Sequence, residues 1–290
     1  MDLLYIEKEK QQTLADEIIV KGVSLHSGKK AEIKVKPAPI DTGILFTRSD
    51  LDTAIKIKAE PASVVNLVRN TTIGSGEDAE QAFKIKTIEH LMAAIWGAGI
   101  DNLLVEVAGP EIPVTDGSAF PYYEKFLQVG IKKQSKPRSY YKITEAIFAR
   151  DEAAYIVILP YDGFKISYTL DYQHPVIGSS FYEYNQLSDD FATEISKART
   201  FGFEKEAEKM YEQGLALGAS LENIVLIGEQ ETVNPMRYKN EFVRHKILDV
   251  IGDMNLNGRI MGHIIAVKSG HRLHVELATK IREKMLEEEN

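Results

Sequence analysis

The two halves of the chain show strand-like and helical patterns in the same order, and this order constrains the fold more than any other feature. Three strand-like segments open each half: EIIVKGVSL, AEIKVKP and TGILF, then YYKITEAIFA, AYIVILP and FKISYTL. Helical stretches follow, and each half returns to strand-like sequence, with NLLVEV in the first and GHIIAVKS followed by RLHVEL in the second. Strands followed by helices predict an α+β fold rather than alternating βαβ units.

A polar, basic segment lies between the halves. GIKKQSKPRSYY, residues 130–141, is interrupted by Pro137 and is the best candidate for a linker. We therefore expect two domains of similar size, residues 1–133 and 134–290. No residue-level repeat accompanies the similar order of patterns.

Composition excludes several classes of protein. A formal net charge of −8 argues against nucleic acid as a partner, because no broad basic surface is available to replace phosphate counterions. The chain has no cysteine, so disulfides and thiolate metal sites are excluded. The longest apolar run, LMAAIWGAGI, is about half of the roughly 20 residues that a membrane span needs. The first residues lack a signal-peptide pattern, and we expect a soluble cytoplasmic protein.

Two helices carry the polar residues of interest. TIEHLMAAIWGAG is predicted to be a helix with Thr87 as its N-cap, and EFVRHKILDVIGD a helix capped by Asn240. On a helical wheel, His245, Asp249 and Asp253 lie opposite the apolar stripe of the second helix.

His245 and Asp249, one turn apart, allow two interpretations. They can form a surface ion pair worth a few tenths of a kcal/mol, or they can be two ligands of one metal ion. Phe242 and Leu248 flank the polar face, which favours a helix covered on both sides and a partly enclosed site. The spacing H-x-x-x-D alone does not decide between the two.

Further candidates lie in other segments. His90, taken alone, is more often a structural histidine, but the adjacent Glu89 is a carboxylate that could remove a proton from a metal-activated water. His271 follows Ser269-Gly270 and precedes the strand-like RLHVEL. Taken alone it is more often a surface loop histidine, but it is also a candidate proton donor that Asp253 could hold in the charged form.

Six motifs occur together and in a fixed order: KTIEHLMAAIWGAGIDN, EIPVTDGSA, ARTFGF, GLALGAS, EFVRHKILDVIGD and SGHRLH. In this combination the chain closely resembles the UDP-3-O-acyl-N-acetylglucosamine deacetylases of lipid A biosynthesis, from about residue 22 to about residue 277. The resemblance implies a zinc-dependent hydrolase that removes the N-acetyl group and releases acetate. It also implies two α+β domains, each a β-sheet layered with helices, with the active site at their interface.

The resemblance assigns a role to each chemical position. The zinc ligands would be His90, His245 and Asp249. Glu89 would be the general base, and His271 the general acid tuned by Asp253. Thr200 would stabilise the oxyanion, and Lys246 would contact the substrate.

The family also implies a hydrophobic passage for the fatty acyl chain, built by an insert in the second domain. Here the stretch from Phe201 through GLALGAS takes that place, with Leu25 close to it. Gly270 would let the backbone approach the substrate, and His26 matches a family position near the site. His274 departs from the family pattern and receives no role. A monomer is expected.

Two other functions stay open. A zinc amidohydrolase acting on a different acylated sugar would carry the same chemical groups. A non-catalytic binding module would use the same histidines and aspartates as structural residues only.

Overall fold

Strands precede helices in each half of the chain, which confirms the predicted α+β class. The computed structural model describes residues 2–52, 55–75 and 83–289. The strands are β1 Asp2–Leu14, β2 Ile18–Val23, β3 Lys30–Pro37, β4 Ile44–Arg48, β5 Ile57–Lys58, β6 Val64–Asn66, β7 Thr72–Ser75, β8 Phe83–Ile85, β9 Leu103–Ala108, β10 Ile131–Lys142, β11 Ile147–Asp151, β12 Ala154–Leu159, β13 Phe164–Asp171, β14 Ser179–Asn185, β15 Phe201–Phe203, β16 Val225–Ile227 and β17 Ile260–Val267. The helices are α1 Glu89–Gly97, α2 Phe120–Val129, α3 Phe191–Glu194, α4 Glu204–Glu212, α5 Glu241–Met254 and α6 His271–Glu289, with short 3₁₀ turns at Pro61–Ser63 and Asn255–Asn257.

Two large sheets contain most of the strands. A five-stranded sheet has the order β2-β3-β9-β4-β5, and a seven-stranded sheet has the path β1-β10-β17-β12-β11, with β13 joining β17 to β14. Buried and partly exposed residues alternate along β3 and β17, so one face of each sheet is covered. The three-stranded sheet β6-β7-β8 and the pair β15-β16 complete the strands of the described residues.

Helices α1 and α5 pack against each other in the middle of the molecule. Helix α5 also packs on β13 and β14, and α6 packs on α5 and on strands β11 and β12. The inner residues of both large sheets and of both central helices belong to one continuous hydrophobic cluster. The predicted enclosure of α5 on both flanks is confirmed, because Phe242 and Leu248 are both buried.

A glycine permits the close crossing of the two central helices. A Cβ atom on Gly252 of α5 would lie 2.1 Å from the carbonyl oxygen of Glu89 in α1. Real Cβ atoms do not come this close to a backbone oxygen, so any larger residue would push the helices apart. Gly252 therefore fixes the start of α1 against the polar face of α5.

The two predicted helix caps differ from expectation. Helix α1 begins at Glu89 with Ile88 in the N-cap position, so Thr87 is not the cap. Thr87 has a φ of 65°, and its hydroxyl donates instead to a carboxylate oxygen of Glu111 at 3.2 Å. Asn240 does occupy the N-cap position of α5, but its side-chain oxygen accepts a hydrogen bond from Arg244.

Two segments have a different structure from the predicted one. The polar segment 130–141 is largely strand β10, which pairs antiparallel with β1 and is not an irregular linker. The division at residue 133 stays a prediction. RLHVEL belongs to helix α6 and not to a strand, because its apolar residues continue at helical spacing through Leu277, Ile281 and Met285, all of them buried.

No helix in the described part of the chain is both long enough and apolar enough to span a membrane.

Candidate active site and metal centre

Three buried side chains converge where α1 crosses α5. His90 is the second residue of α1, and His245 and Asp249 lie one turn apart on α5. Oδ1 of Asp249 lies 3.8 Å from Nε2 of His90 and 3.4 Å from Nε2 of His245. One ligand atom from each residue lies within 4.8 Å of the other two. Two imidazole nitrogens and one carboxylate oxygen are a typical set for a catalytic metal site that keeps a coordination position open.

The surroundings of these side chains fit a divalent cation. Oδ1 of Asp249 is buried and has no hydrogen-bond donor among the described residues, which is costly for a carboxylate oxygen. Nδ1 of His245 lies 3.0 Å from the carbonyl oxygen of Ala198. Because a carbonyl only accepts, Nδ1 carries the proton and Nε2 keeps a free lone pair. A cation between the three side chains would satisfy both the oxygen and the nitrogens.

Electrostatics keep the three side chains in the form that binds metal. Burial, together with the nearby His245, lowers the pKa of His90 to about 3. Burial likewise lowers the pKa of His245. For Asp249, burial acts to raise the pKa, but electrostatic interaction with the neighbouring His245 imidazole and with the Lys246 ammonium group holds it well below its ordinary value. Neutral imidazoles and an ionised carboxylate are the states that a metal requires.

Glu89 lies beside the metal ligands at the first position of α1. Its side chain is buried, and Oε2 accepts a hydrogen bond from the backbone N–H of Thr71 at 3.0 Å. Burial raises the pKa of Glu89 to about 7, a rise that His271 opposes and Asp249 supports. A carboxylate with such a pKa can take and release a proton near neutral pH.

A buried carboxylate on the next turn of α5 binds the second candidate proton-transfer group. Oδ2 of Asp253 lies 2.8 Å from Nδ1 of His271, the first residue of α6. Oδ1 of Asp253 accepts a hydrogen bond from the hydroxyl of Thr71 at 2.6 Å. Burial acts to lower the pKa of His271, but the charges of Asp253, Asp249 and Glu89 and the hydrogen bond with Asp253 raise it to about 9. The His271 ring is therefore a charged proton donor at neutral pH.

One cavity of about 440 Å³ brings most of the predicted residues together. Its polar end holds the metal-ligand candidates, Glu89 and His271. Its walls include apolar side chains from the segment that begins at Phe201, namely Phe203, Ala207, Met210, Tyr211, Ala216, Leu221, Ile224 and Leu226. The arrangement can hold a polar group at the metal-ligand candidates and an apolar chain beside it.

Lys246, Thr200 and Phe201 all line this cavity. Nζ of Lys246 donates to Oδ2 of Asp249 at 2.7 Å and lies 5.4 Å from the centre of the Phe201 ring. Burial acts to lower the pKa of Lys246, but Asp249 raises it above its ordinary value, so the amine stays charged. Thr200 sits at the start of β15, held by backbone hydrogen bonds to Gly117 and Val225.

Leu25 and His26 reach the cavity from the loop after β2. The backbone N–H of His26 donates to Glu111 at 2.8 Å, whereas its two buried ring nitrogens have no hydrogen-bond partner among the described residues. Gly270 precedes His271 but is not among the described residues that line the cavity. A Cβ atom there would meet nothing within 4 Å.

Sequence reasoning missed two residues of this site. Thr71 contacts both Glu89 and Asp253, yet it lies in a loop where no motif distinguishes it. His274 lies 2.9 Å from Oδ2 of Asp253. The spacing of His271 and His274, three residues, places both on one face of a helix and could have indicated His274. The strand-like interpretation of RLHVEL conceals this relation.

Comparisons with known proteins agree with this geometry. A family model described as "LpxC: UDP-3-O-acyl N-acetylglycosamine deacetylase" matches residues 11–283. A protein from Geobacter sp. (strain M21), named UDP-3-O-acyl-N-acetylglucosamine deacetylase, is 42% identical over 274 residues, which cover 93% of this chain and 88% of the relative.

Two further relatives carry the same name. The protein from Haemophilus influenzae (strain 86-028NP) is 42% identical and covers 92% of this chain and 88% of its own length. The protein from Myxococcus xanthus (strain DK1622) is 42% identical, with 93% and 86% covered. The matched region contains all the residues of the candidate site. The chain therefore belongs to the LpxC family of UDP-3-O-acyl N-acetylglycosamine deacetylases.

Proposed function

We propose that this protein hydrolyses the N-acetyl amide of a UDP-linked, 3-O-acylated N-acetylglucosamine in lipid A biosynthesis. The products are acetate and the free amine of the acylated sugar. One observation carries the proposal: Glu89 and His271 line the same cavity as the buried set of two histidines and one aspartate. A base, an acid and a metal-binding set in one cavity are the parts that metal-assisted amide hydrolysis needs.

Zinc is the metal that we assign to the site, held by His90, His245 and Asp249. This ion has no redox chemistry and prefers three protein ligands of these types in catalytic sites. When bound, it would polarise the amide carbonyl and make water more acidic. The support is the buried Oδ1 of Asp249, which has no donor in the part of the chain that the structure describes, and the Nε2 lone pair of His245.

The protein's own residues account for the proton transfers. Glu89 removes a proton from the attacking water, whose oxygen bonds to the carbonyl carbon. The C–N bond then breaks, and His271 donates a proton to the departing nitrogen. Asp253 keeps His271 charged until that step. Because each group has one task, the acid and the base need not exchange roles.

Two cavity residues are proposed to act on the charge that develops on the carbonyl oxygen. The hydroxyl of Thr200 donates a hydrogen bond to this oxygen, and the positive charge of Lys246 stabilises it. Lys246 is already oriented by its hydrogen bond to Asp249. Removing one donor of this kind typically costs about 10²–10³ in kcat.

The apolar walls of the cavity are proposed to hold the 3-O-acyl chain. Leu25, Phe201 and residues of the segment up to Ser220 all line the cavity. His26 and Gly270 are assigned to the sugar or nucleotide part of the substrate. We further propose a monomer, because one chain supplies every chemical group, and a cytoplasmic location, because the substrate is a nucleotide sugar.

Acetate release from a panel of substrates tests this function. We expect hydrolysis of UDP-3-O-acyl-N-acetylglucosamine, much slower hydrolysis of UDP-N-acetylglucosamine without the acyl chain, and almost none of the acylated sugar without UDP. Glu89→Gln should lower the rate of acetate release by about 10²–10⁴, whereas Glu229→Gln, at an exposed position, should not change it. A preference for an acylated sugar without the nucleotide would instead identify an amidohydrolase of different specificity.

A further inference from the structure

Asp253 binds two histidines with a single oxygen atom. Oδ2 of Asp253 lies 2.8 Å from Nδ1 of His271 and 2.9 Å from Nδ1 of His274. Asp253 is 1% exposed and His274 is not exposed at all. An ionised carboxylate can only accept hydrogen bonds, so both Nδ1 atoms carry a proton. One oxygen therefore receives two imidazole N–H donors.

The second nitrogen of His274 is also fixed. Its Nε2 lies 3.0 Å from the hydroxyl of Ser269. The backbone carbonyl of Ser269 in turn accepts a hydrogen bond from the buried hydroxyl of Tyr168. With Nδ1 donating to Asp253, a neutral His274 ring accepts the Ser269 hydroxyl proton at Nε2, so both nitrogens are satisfied without a second positive charge.

The surrounding charges separate the roles of the two histidines. His271 faces Asp253 and Asp249 from α5 and Glu89 from α1, and it lines the cavity. His274 is fully enclosed, and burial lowers its pKa despite the nearby Asp253. Only His271 can therefore reach a substrate, and His274 acts only through Asp253.

We infer that His274 is a positioning residue that fixes the Asp253 carboxylate towards His271. Because His274 donates to the same oxygen, it also weakens the hydrogen bond between Asp253 and the protonated ring of His271. An oxygen shared by two donors is a weaker acceptor for each of them. The shared oxygen thus keeps His271 acidic enough to release its proton to the departing amine. The inference rests on the proposed function, because His271 is the acid only in that reaction.

The pH profile of kcat/KM for two His274 variants tests this role. His274→Leu removes the competing donor, so we expect the upper pH limb to move up by about one pH unit and kcat to fall about tenfold. His274→Asn keeps an N–H donor near the position of Nδ1, so its limb should stay near that of wild type. His263→Leu removes a histidine from outside this network and should change neither quantity. A lower activity with an unmoved limb in His274→Leu would show a merely structural role and overturn the inference.

A nitrogen NMR measurement on wild type keeps the test independent of folding of the variants and of activity. In protein labelled with ¹⁵N-histidine, His274 should be neutral with the proton on Nδ1 from pH 7 to 9, while His271 titrates above pH 8. A proton on Nε2 of His274, or titration of His274 together with His271, would contradict the arrangement. If wild type releases no acetate, the proposed function fails, but this spectrum still tests the shared oxygen.

Discussion

At the scale of single residues, helix α5 places one polar side chain per turn and each has a different environment. Oδ1 of Asp249 has no hydrogen-bond donor among the described residues, whereas Asp253 on the next turn has three donors, from Thr71, His271 and His274. The two aspartates therefore differ in what they can bind: Asp249 has an oxygen available for a cation, whereas Asp253 accepts hydrogen bonds from imidazole groups. The helical wheel predicted the direction of both, but it could not reveal which donors surround them.

Replacement of Glu89 tests the assignment of the general base. Glu89→Gln keeps the size of the side chain and removes the group that takes the proton, so kcat should fall by about 10²–10⁴. The metal content should stay unchanged, because Glu89 is not among the three proposed ligands. Metal analysis and acetate release, measured on the same preparation, check both expectations. Loss of the metal together with activity would mean that Glu89 acts on the metal site instead.

The raised pKa of His271 predicts where kcat/KM falls at high pH. The charged ring donates the proton, and its pKa is about 9, so kcat/KM should fall as pH rises through this value. In Asp253→Asn the main raising charge is lost while burial still favours the neutral ring. The upper limb of the kcat/KM profile should then shift to lower pH by about one to three pH units. An upper limb that stays in place in Asp253→Asn would exclude Asp253 as the residue that holds the acid charged.

At the scale of elements, the site depends on how closely α1 approaches α5. Glu89 and His90 occupy the first two positions of α1, and the backbone of Glu89 rests on Gly252. The sequence placed Gly252 on the polar face of α5, but its contact with α1 is a tertiary feature without a local signal. Similarly, the alternation of apolar residues in RLHVEL fits a strand over six residues, and only the longer apolar spacing of α6 identifies the helix.

A methyl group at this crossing should disturb both stability and metal binding. In Gly252→Ala the new Cβ would lie 2.1 Å from the carbonyl oxygen of Glu89, so the helices must separate. We expect a loss of about 1–3 kcal/mol in the free energy of unfolding and weaker metal binding, because His90 moves with α1. Gly202→Ala is the matched control, since a Cβ there meets nothing within 4 Å. Equal unfolding free energies and metal affinities for the two variants would refute the role of Gly252.

At the scale of the whole molecule, the candidate ligands come from both halves of the chain. His90 lies in the first half, whereas His245 and Asp249 lie in the second. The ordered motifs predicted this convergence and the chemical residues of the cavity, and the order of strand and helix patterns predicted the α+β class, but neither predicted the cavity residues Arg69, Tyr172, Leu221, Ile224 and Leu226. They did not predict that β1 joins the seven-stranded sheet through β10, because the polar composition of residues 130–141 resembles a loop and the partner strand is more than 100 residues away.

Metal removal should lower the thermal stability of the whole protein. A cation bound only by the folded state stabilises it by about 2.7 kcal/mol at 100 times its Kd, which corresponds to roughly 4 °C in Tm for a chain of this size. Chelation should therefore lower Tm, and one equivalent of zinc should restore it. His245→Ala should show almost no shift in either direction. A Tm that does not respond to chelator in wild type would argue against a metal between the two halves.

Acetate release by metal-free protein, titrated with zinc, tests the central claim most directly. With UDP-3-O-acyl-N-acetylglucosamine as substrate, we predict no release before zinc is added, an increase up to one zinc per chain, and release about 10²–10⁴ slower by zinc-loaded Glu89→Gln. Full acetate release by protein that contains no metal, or none with one zinc bound per chain, would contradict the account.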